Sequence, residues 1–198
     1  MGKILAINGS YRDDGITDQT VAVMLQVAAQ AGVATEHILL REHPVDHCHN
    51  CRSCTQEPGA VPAHCVIHDG MGELVTKIEA ADAYILAAPV NFGSATALFK
   101  RFMERLLVYA YWPWGRPGPV YRKAGVPQKK AALVSSCAAP GVMGYVAYDV
   151  RRQLKLTAKT IGAESVGTLI TGLVAQRAQT DLSLRDVSKA QRLARKLL

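Results

Sequence analysis

The chain opens with an arrangement that few folds accommodate. Lys3 to Asn8 is a short apolar run that stops at Gly9, and Ser10-Tyr11-Arg12-Asp13-Asp14-Gly15-Ile16-Thr17 follows before a long helical pattern. In order, this is a strand, a loop of phosphate size and a helix N-terminus. N–H groups left unpaired at a helix start, together with the positive end of its dipole, favour an anion there. Ser10 and Thr17 offer hydroxyl donors and Arg12 a charge-assisted pair. The loop is not a Walker loop, because no Gly-Lys-Ser/Thr closes it, and the spacing G-x-G-x-x-G is absent. Gly9 lets the backbone turn sharply off the strand. Turn chemistry alone would account for Gly and Ser here. Arg12, Gly15 and Thr17 in the same loop point to a phosphate-bearing ligand.

The rest of the chain alternates strand and helix patterns. Strand one is read as Lys3–Asn8, helix one as about Thr17 to Gln30 with Gly32 as its stop, and strand two as Thr35–Leu40. A cysteine-bearing loop runs from His43 to His68, and Asp69 reads as the N-cap of a helix over Met71–Ala80. Strand three is Ala83–Ala88, nearly all apolar, as a strand covered on both faces should be. Helix three is expected over Ser94–Tyr109, and a Pro/Trp/Gly-rich loop over Tyr111–Pro127. Strand four is Lys130–Ser135, helix four Met143–Ile161, strand five Glu164–Thr171, and a last helix covers Leu184–Leu198. No repeat or linker interrupts the alternation, so residues 1–198 are expected to form one domain.

Such alternation means a parallel sheet with helices on both faces. Five strands suit a flavodoxin-like, three-layer, doubly wound sheet of order 2-1-3-4-5, which binds its ligand at the switch point between strands one and three. The loops after strands one, three and four emerge at one edge, and each is unusual: Gly9-Ser10-Tyr11-Arg12, Pro89-Val90-Asn91-Phe92-Gly93-Ser94, and Ser135-Ser136-Cys137-Ala138-Ala139-Pro140-Gly141. Together they argue for a single site.

Composition narrows the partners. The 198 residues are 49% hydrophobic and carry 23 basic against 16 acidic side chains, a net charge of +7. That excess suits phosphorylated small molecules. Basic residues cluster only at Arg151/Arg152 and in the tail at Arg192, Arg195 and Lys196, where helical spacing reads as a solvated face, so nucleic acid is not expected. No apolar stretch is long enough for a membrane span and the start does not read as a secretion signal, so a cytoplasmic location is expected. In that compartment five cysteines are thiols, metal ligands or redox groups rather than disulfides.

Four of them, Cys48, Cys51, Cys54 and Cys65, read C-x2-C-x2-C-x10-C. Four thiolates with a compact first three match a [4Fe–4S] ligand set in kind. Zinc is a second reading, and a thiol-rich loop without metal a third. His43, His47, His49, His64 and His68 lie nearby. Cys137 stands apart and needs no redox role. In the loop from Tyr111, the aromatics Trp112, Trp114 and Tyr121 sit among Pro113, Pro117 and Pro119, with Tyr109 just before. They read as a cap on the core, or as a contact between subunits that walls a neighbour's site. The tryptophans suit stacking on a planar substrate.

The motifs Asn8-Gly9-Ser10-Tyr11-Arg12-Asp13-Asp14-Gly15-Ile16-Thr17, Ala88-Pro89-Val90-Asn91-Phe92-Gly93-Ser94 and Lys100-Arg101-Phe102-Met103-Glu104-Arg105 resemble those of the NADPH-dependent FMN reductase-like family, which includes the iron–sulfur flavoproteins. The resemblance covers roughly the first two-thirds of the chain. It implies that Ser10, Arg12, Gly15, Ile16 and Thr17 hold the FMN phosphate. It implies that Pro89, Val90, Asn91, Phe92 and Gly93 run along the isoalloxazine, and that Ser136, Cys137 and Gly141 line its other side. Ile16 stands where the family often has Asn, and Asn91 where it often has Tyr. The implied activity is an NAD(P)H oxidoreductase passing electrons from a nicotinamide through FMN to a quinone, flavin or other small acceptor, in a homodimer or homotetramer. The mechanism needs no acid–base triad, and no catalytic side chain is assigned. One alternative is an electron carrier with FMN and a [4Fe–4S] cluster on Cys48, Cys51, Cys54 and Cys65, reduced by a ferredoxin-like partner. Another is a zinc- or thiol-bearing regulatory module without flavin.

Overall fold

A computed structural model describes residues 2–126 and 128–198. The last residue of the aromatic loop, Pro127, lies outside them. Five strands form one parallel sheet: β1 (Lys3–Asn8), β2 (Ala34–Leu39), β3 (Ala83–Ala87), β4 (Lys129–Ser136) and β5 (Ala163–Thr171), in the spatial order β2-β1-β3-β4-β5. Ile4 pairs with Thr35 on one side and Ala83 on the other, so β1 lies inside the sheet and the chain reverses its winding between β1 and β3. Six helices flank the sheet: α1 (Ile16–Gln30), α2 (Met71–Ala80), α3 (Ala97–Arg105), α4 (Gly141–Val146), α5 (Val150–Thr160) and α6 (Leu184–Arg195).

The period of two along each strand divides the core. Ile4 and Ala6 face one way and pack with Val21, Met24 and Ala28 of α1 and Ala190 and Leu193 of α6. Leu5 and Ile7 face the other way and pack with Leu74 and Ile78 of α2, Phe99 and Phe102 of α3 and Leu154 of α5. All five residues of β3 are buried, which is why that stretch reads as unbroken apolar sequence. Among the described residues no helix is long and apolar enough to cross a membrane.

Two helices differ from the sequence reading, each because a tertiary bond outcompetes helix continuation. Ser94–Ala95 does not open helix three but pairs antiparallel with Val90–Asn91 in a two-residue ribbon. The Gln153 side chain accepts the Ala95 N–H at 2.8 Å, and Thr96 caps α3 by accepting from Phe99 N–H at 3.3 Å. After Arg105 the helix tightens into a 3-10 turn over Leu106–Tyr109. The expected helix over Met143–Ile161 is broken between Val146 and Val150. There the Asp149 N–H turns to the Gly93 carbonyl at 2.8 Å, tying the break to the loop after β3.

Candidate functional site

The loop after β1 is organised by its own side chains. Asn8 is fully buried, and its Oδ1 accepts the Ser10 N–H at 2.9 Å. Its Nδ2 donates to Asp18 Oδ1 at 2.6 Å. Ser10 Oγ donates to the Arg12 carbonyl at 3.1 Å and accepts the Arg12 N–H at 3.2 Å, curling the loop. Gly9 is required for close approach: a Cβ there would lie 2.7 Å from Phe99 Cβ. Gly15 takes the N-cap position of α1 in an extended conformation, and no side chain caps the helix. The first-turn donors therefore stay available to a ligand. Thr17 Oγ1 meets Ser136 Oγ at 2.9 Å, joining this loop to the end of β4.

The three expected loops border one cavity of about 470 Å³. Ser10, Arg12, Gly15, Ile16 and Thr17 line it, with Pro89, Val90 and Asn91, and with Ser136 and Cys137. That volume lies within the range of small-molecule and cofactor sites. Three expected residues do not line it. Phe92 and Gly93 form the tip of the ribbon at positive φ (49° and 73°), and the Phe92 side chain points wholly into solvent. Gly141 is drawn against the end of β5, where a Cβ on Gly172 would fall 2.0 Å from Gly141 N. Burial raises the Cys137 thiol above its ordinary pKa, and its Sγ donates to the Ala139 carbonyl at 3.2 Å.

Two contributors were missed in the sequence. Arg41, just after β2, donates to the carbonyls of Ser10 (3.3 Å) and Arg12 (3.4 Å) and pairs with Asp13 (2.8 Å) and Asp18 (3.0 Å). Its signal was topological: β2 neighbours β1, so the residue after β2 stands beside the loop after β1. The segment from Val174 to Thr180 closes another wall of the cavity. Arg12 donates to its Ala178 carbonyl, and Gln19 holds it through Thr180 O (3.2 Å) and Leu182 N–H (2.7 Å). No motif marks that segment.

The cysteine loop is pinned by arginines. Arg52, at positive φ, lies 3.9 Å from the Trp112 ring centroid and 4.2 Å from that of Trp114, and it donates to the carbonyls of Trp112 and Pro113. The tryptophans thus stack on an arginine of this chain rather than standing open to a planar substrate. Trp112 N–H donates to the Thr55 carbonyl at 2.8 Å, so the aromatic loop clamps the cysteine loop. Burial first, then the charges of Cys65, Cys48 and Cys51, push the Cys54 thiol up to about 11, so the four sulfurs share one neighbourhood. Two bonds from Ser53 lower the exposed Cys51. Among the described residues no three His, Cys, Asp or Glu side chains gather closely enough to hold a single metal ion, and the five nearby histidines join no such group.

Comparison with known proteins bears on the family and the fold. The family described as NADPH-dependent FMN reductase matches residues 2–171, further than the first two-thirds and through the end of β5. An iron-sulfur flavoprotein of Methanocaldococcus jannaschii is 35% identical over 103 residues, 52% of this chain and 51% of that protein. One of Archaeoglobus fulgidus is 29% identical over 138 residues, 67% of this chain and 60% of that protein. The chain therefore spans about half to three-fifths of the length of these relatives. Among solved structures, an NAD(P)H:quinone oxidoreductase from Methanothermobacter marburgensis superposes with a TM-score of 0.72 at 16% identity, covering 100% of this chain and 99% of that one. An FMN-dependent NADH-azoreductase from Bacillus anthracis, in complex with FMN, gives 0.71 at 15% identity with the same coverage. At those identities the likeness speaks for the flavodoxin-like fold. With a family match running from β1 to the last strand of the sheet, the chain belongs to the NADPH-dependent FMN reductase family.

Proposed function

We propose that this chain binds FMN in the cavity at the carboxyl ends of β1, β3 and β4 and works as an NAD(P)H-dependent oxidoreductase with a small acceptor such as a quinone. The observation that carries the reading is the uncapped N-terminus of α1 opening into a cavity that the loops after β1, β3 and β4 border together. The residues fit the group. The N–H groups of Gly15, Ile16 and Thr17 would hold the phosphate with Ser10 and Arg12. Pro89, Val90 and Asn91 would lie along the ring, with Ser136 and Cys137 on its other side. Bound there, FMN would supply the redox chemistry, accepting a hydride from reduced nicotinamide and handing two electrons on. The protein's own part is to bind, orient and exclude water. Arg41 keeps its charge on Asp13 and Asp18, which leaves Arg12 as the cation of the loop for phosphate. Phe92, Val142 and Val146 are exposed apolar side chains, which supports a homo-oligomer that covers them.

The test is a fluorescence titration with FMN and with riboflavin, followed by NADPH and NADH oxidation with a quinone. A charge-assisted hydrogen bond is worth about 1.5–3 kcal/mol, so Arg12→Ala should weaken FMN binding about 10- to 150-fold. Riboflavin, lacking the phosphate, should bind both proteins alike. Equal loss for both ligands would sink the phosphate assignment, and no binding of FMN by the native chain would sink the function.

A second reading is favoured by the shared neighbourhood of the four sulfurs around Cys54. On it, Cys48, Cys51, Cys54 and Cys65 ligate a [4Fe–4S] cluster. A cubane spreads its four thiolates over four irons, so the donor set fits without converging on one point. The cluster would supply one-electron transfer. Four irons and four sulfides per chain after anaerobic preparation would support it, and a chain that takes up neither would end it.

A further inference from the structure

Cys65 stands eleven positions after Cys54, and the stretch between them carries Pro58, Gly59 and Pro62. The two ends of the cysteine loop meet on one side chain that brings it back. Arg105, at the end of α3, has no exposed side-chain surface. Its Nη1 donates to the Asp46 carbonyl (2.9 Å), near the loop's start, and to Asp69 Oδ2 (2.5 Å), at its end. Its Nη2 donates to Asp69 Oδ1 (3.0 Å) and to Cys65 Sγ (3.5 Å). Asp69 completes the ring, accepting the Asp46 N–H at 2.7 Å and the Met71 N–H at 3.0 Å. The guanidinium thus spends its fork on a bidentate carboxylate and directs a remaining N–H at sulfur.

We propose that Arg105 is a positioning residue for the fourth thiol: it holds Cys65 for cluster ligation and donates an N–H to the ligating sulfur. This rests on the cluster reading above. Arg52 and Arg122 hold the same loop, but through carbonyl oxygens of Trp112, Pro113, Cys54, Glu57 and Gly59. Only Arg105 among these three reaches a sulfur. Cluster potentials follow net charge and hydrogen bonds to the sulfurs, and an N–H donor favours the more negative, reduced state.

The test compares the native chain with Arg105→Lys and Arg52→Lys, each reconstituted anaerobically with iron and sulfide. Iron and sulfide per chain are measured first, then the midpoint potential by reductive titration followed by electron paramagnetic resonance. Lysine keeps the charge facing Asp69 but lacks the fork that reaches Cys65 as well. Arg105→Lys should disfavour reduction about tenfold, a fall of about 59 mV for one electron. Arg52→Lys should leave the potential unchanged. An unchanged potential in Arg105→Lys would overturn the proposal and leave the cluster reading standing. A native chain that takes up no iron and sulfide would overturn both. Should Arg105→Lys not fold, Asp69→Asn keeps the N–H to sulfur and removes the counter-charge. It should raise the potential, and an unchanged or lower value there would also overturn the proposal.

Discussion

The loop after β1 and the cysteine loop are built by opposite means. The first takes its curl from neighbours: Asn8 orients Ser10, and Ser10 and Arg12 bond each other across two residues. The second is held by bonds that span 36 residues from Arg105 to Asp69, 60 from Arg52 to Trp112 and 68 from Arg122 to Cys54. A short loop can be shaped by its own hydroxyls and glycines. A loop of more than twenty residues whose regular structure is one short 3-10 turn, Ser53–Thr55, gains most of its shape from what lies across from it. Here three arginines do that, each feeding several buried acceptors at once. The loop after β1 thus takes its curl from local chemistry and is then tied down by Arg41 and Thr96, whereas the cysteine loop owes its shape to distant parts of the chain.

The largest effect should come from cutting one of those distant ties. Arg122 is buried and donates to Val108 O (3.0 Å), Gly59 O (3.3 Å), Cys54 O (3.1 Å) and Glu57 O (2.9 Å). Stranding one buried acceptor costs about 1–3 kcal/mol. With water recovering part of the loss, Arg122→Ala should cost about 3 kcal/mol in denaturant unfolding. Hydrogen exchange should show protection lost across residues 54–59 while β1 and β3 keep theirs. Equal loss in the loop and in the strands would break the contrast, because the loop would then be no separate unit.

The matching cut on the other side is Gly9→Ala. Its Cβ would fall 2.7 Å from Phe99 Cβ and 3.2 Å from Thr96 Oγ1, the hydroxyl that donates to the Gly9 carbonyl at 2.6 Å. Overpacking of this kind costs about 1–3 kcal/mol. We expect about 2 kcal/mol from the same unfolding measurement, with weaker FMN binding and an unaltered exchange pattern in residues 46–69. A neutral substitution would mean that α3 yields, and that Gly9 serves only the turn.

The same contrast explains what could be read from the sequence. The sheet order was legible because strand and helix periods alternate cleanly and β3 is apolar throughout. Ser10, Arg12, Gly15 and Thr17 were legible because a strand, a glycine and a helix start place them together whatever the rest of the chain does. The break before Val150 was not, since it answers to Gly93, more than fifty residues earlier. Phe92 was read as lining the ring, and nothing local reveals that the ribbon tip turns it outward. Arg52 between its tryptophans was invisible for the same reason: the residues adjoin only once the cysteine and aromatic loops have met. Tertiary bonds of that reach leave no period and no spacing behind.

The smallest effect should be a pH dependence, and it probes how far the curl of the loop after β1 depends on its neighbour on β2. Asn8 Oδ1 is taken by the Ser10 N–H, so Nδ2 faces both Asp18 and His37, whose Nε2 lies at 3.3 Å. An amide donor facing that nitrogen requires it unprotonated. Burial, chiefly, holds the His37 pKa below its ordinary 6.5; Arg41 adds to the lowering, and Asp18 and Glu42 oppose it. The sign follows from linkage. The unfolded chain takes up a proton near 6.5 and the folded one resists it, so stability is full above that pH and falls as pH drops below it. The slope is at most about 1.4 kcal/mol per pH unit for one group. Urea unfolding at pH 7.5 and 5.5 should show the loss in the native chain and a flatter response in His37→Gln. FMN retention should decline only at lower pH, where the folded chain itself takes up the proton and protonated His37 repels the Asn8 amide that positions Ser10. A slope that survives in His37→Gln would assign the acid sensitivity to another group. FMN retention that holds even where folded His37 is protonated would show the phosphate loop keeping its curl without its neighbour on β2, a sharper separation of the two loops than their bonds imply.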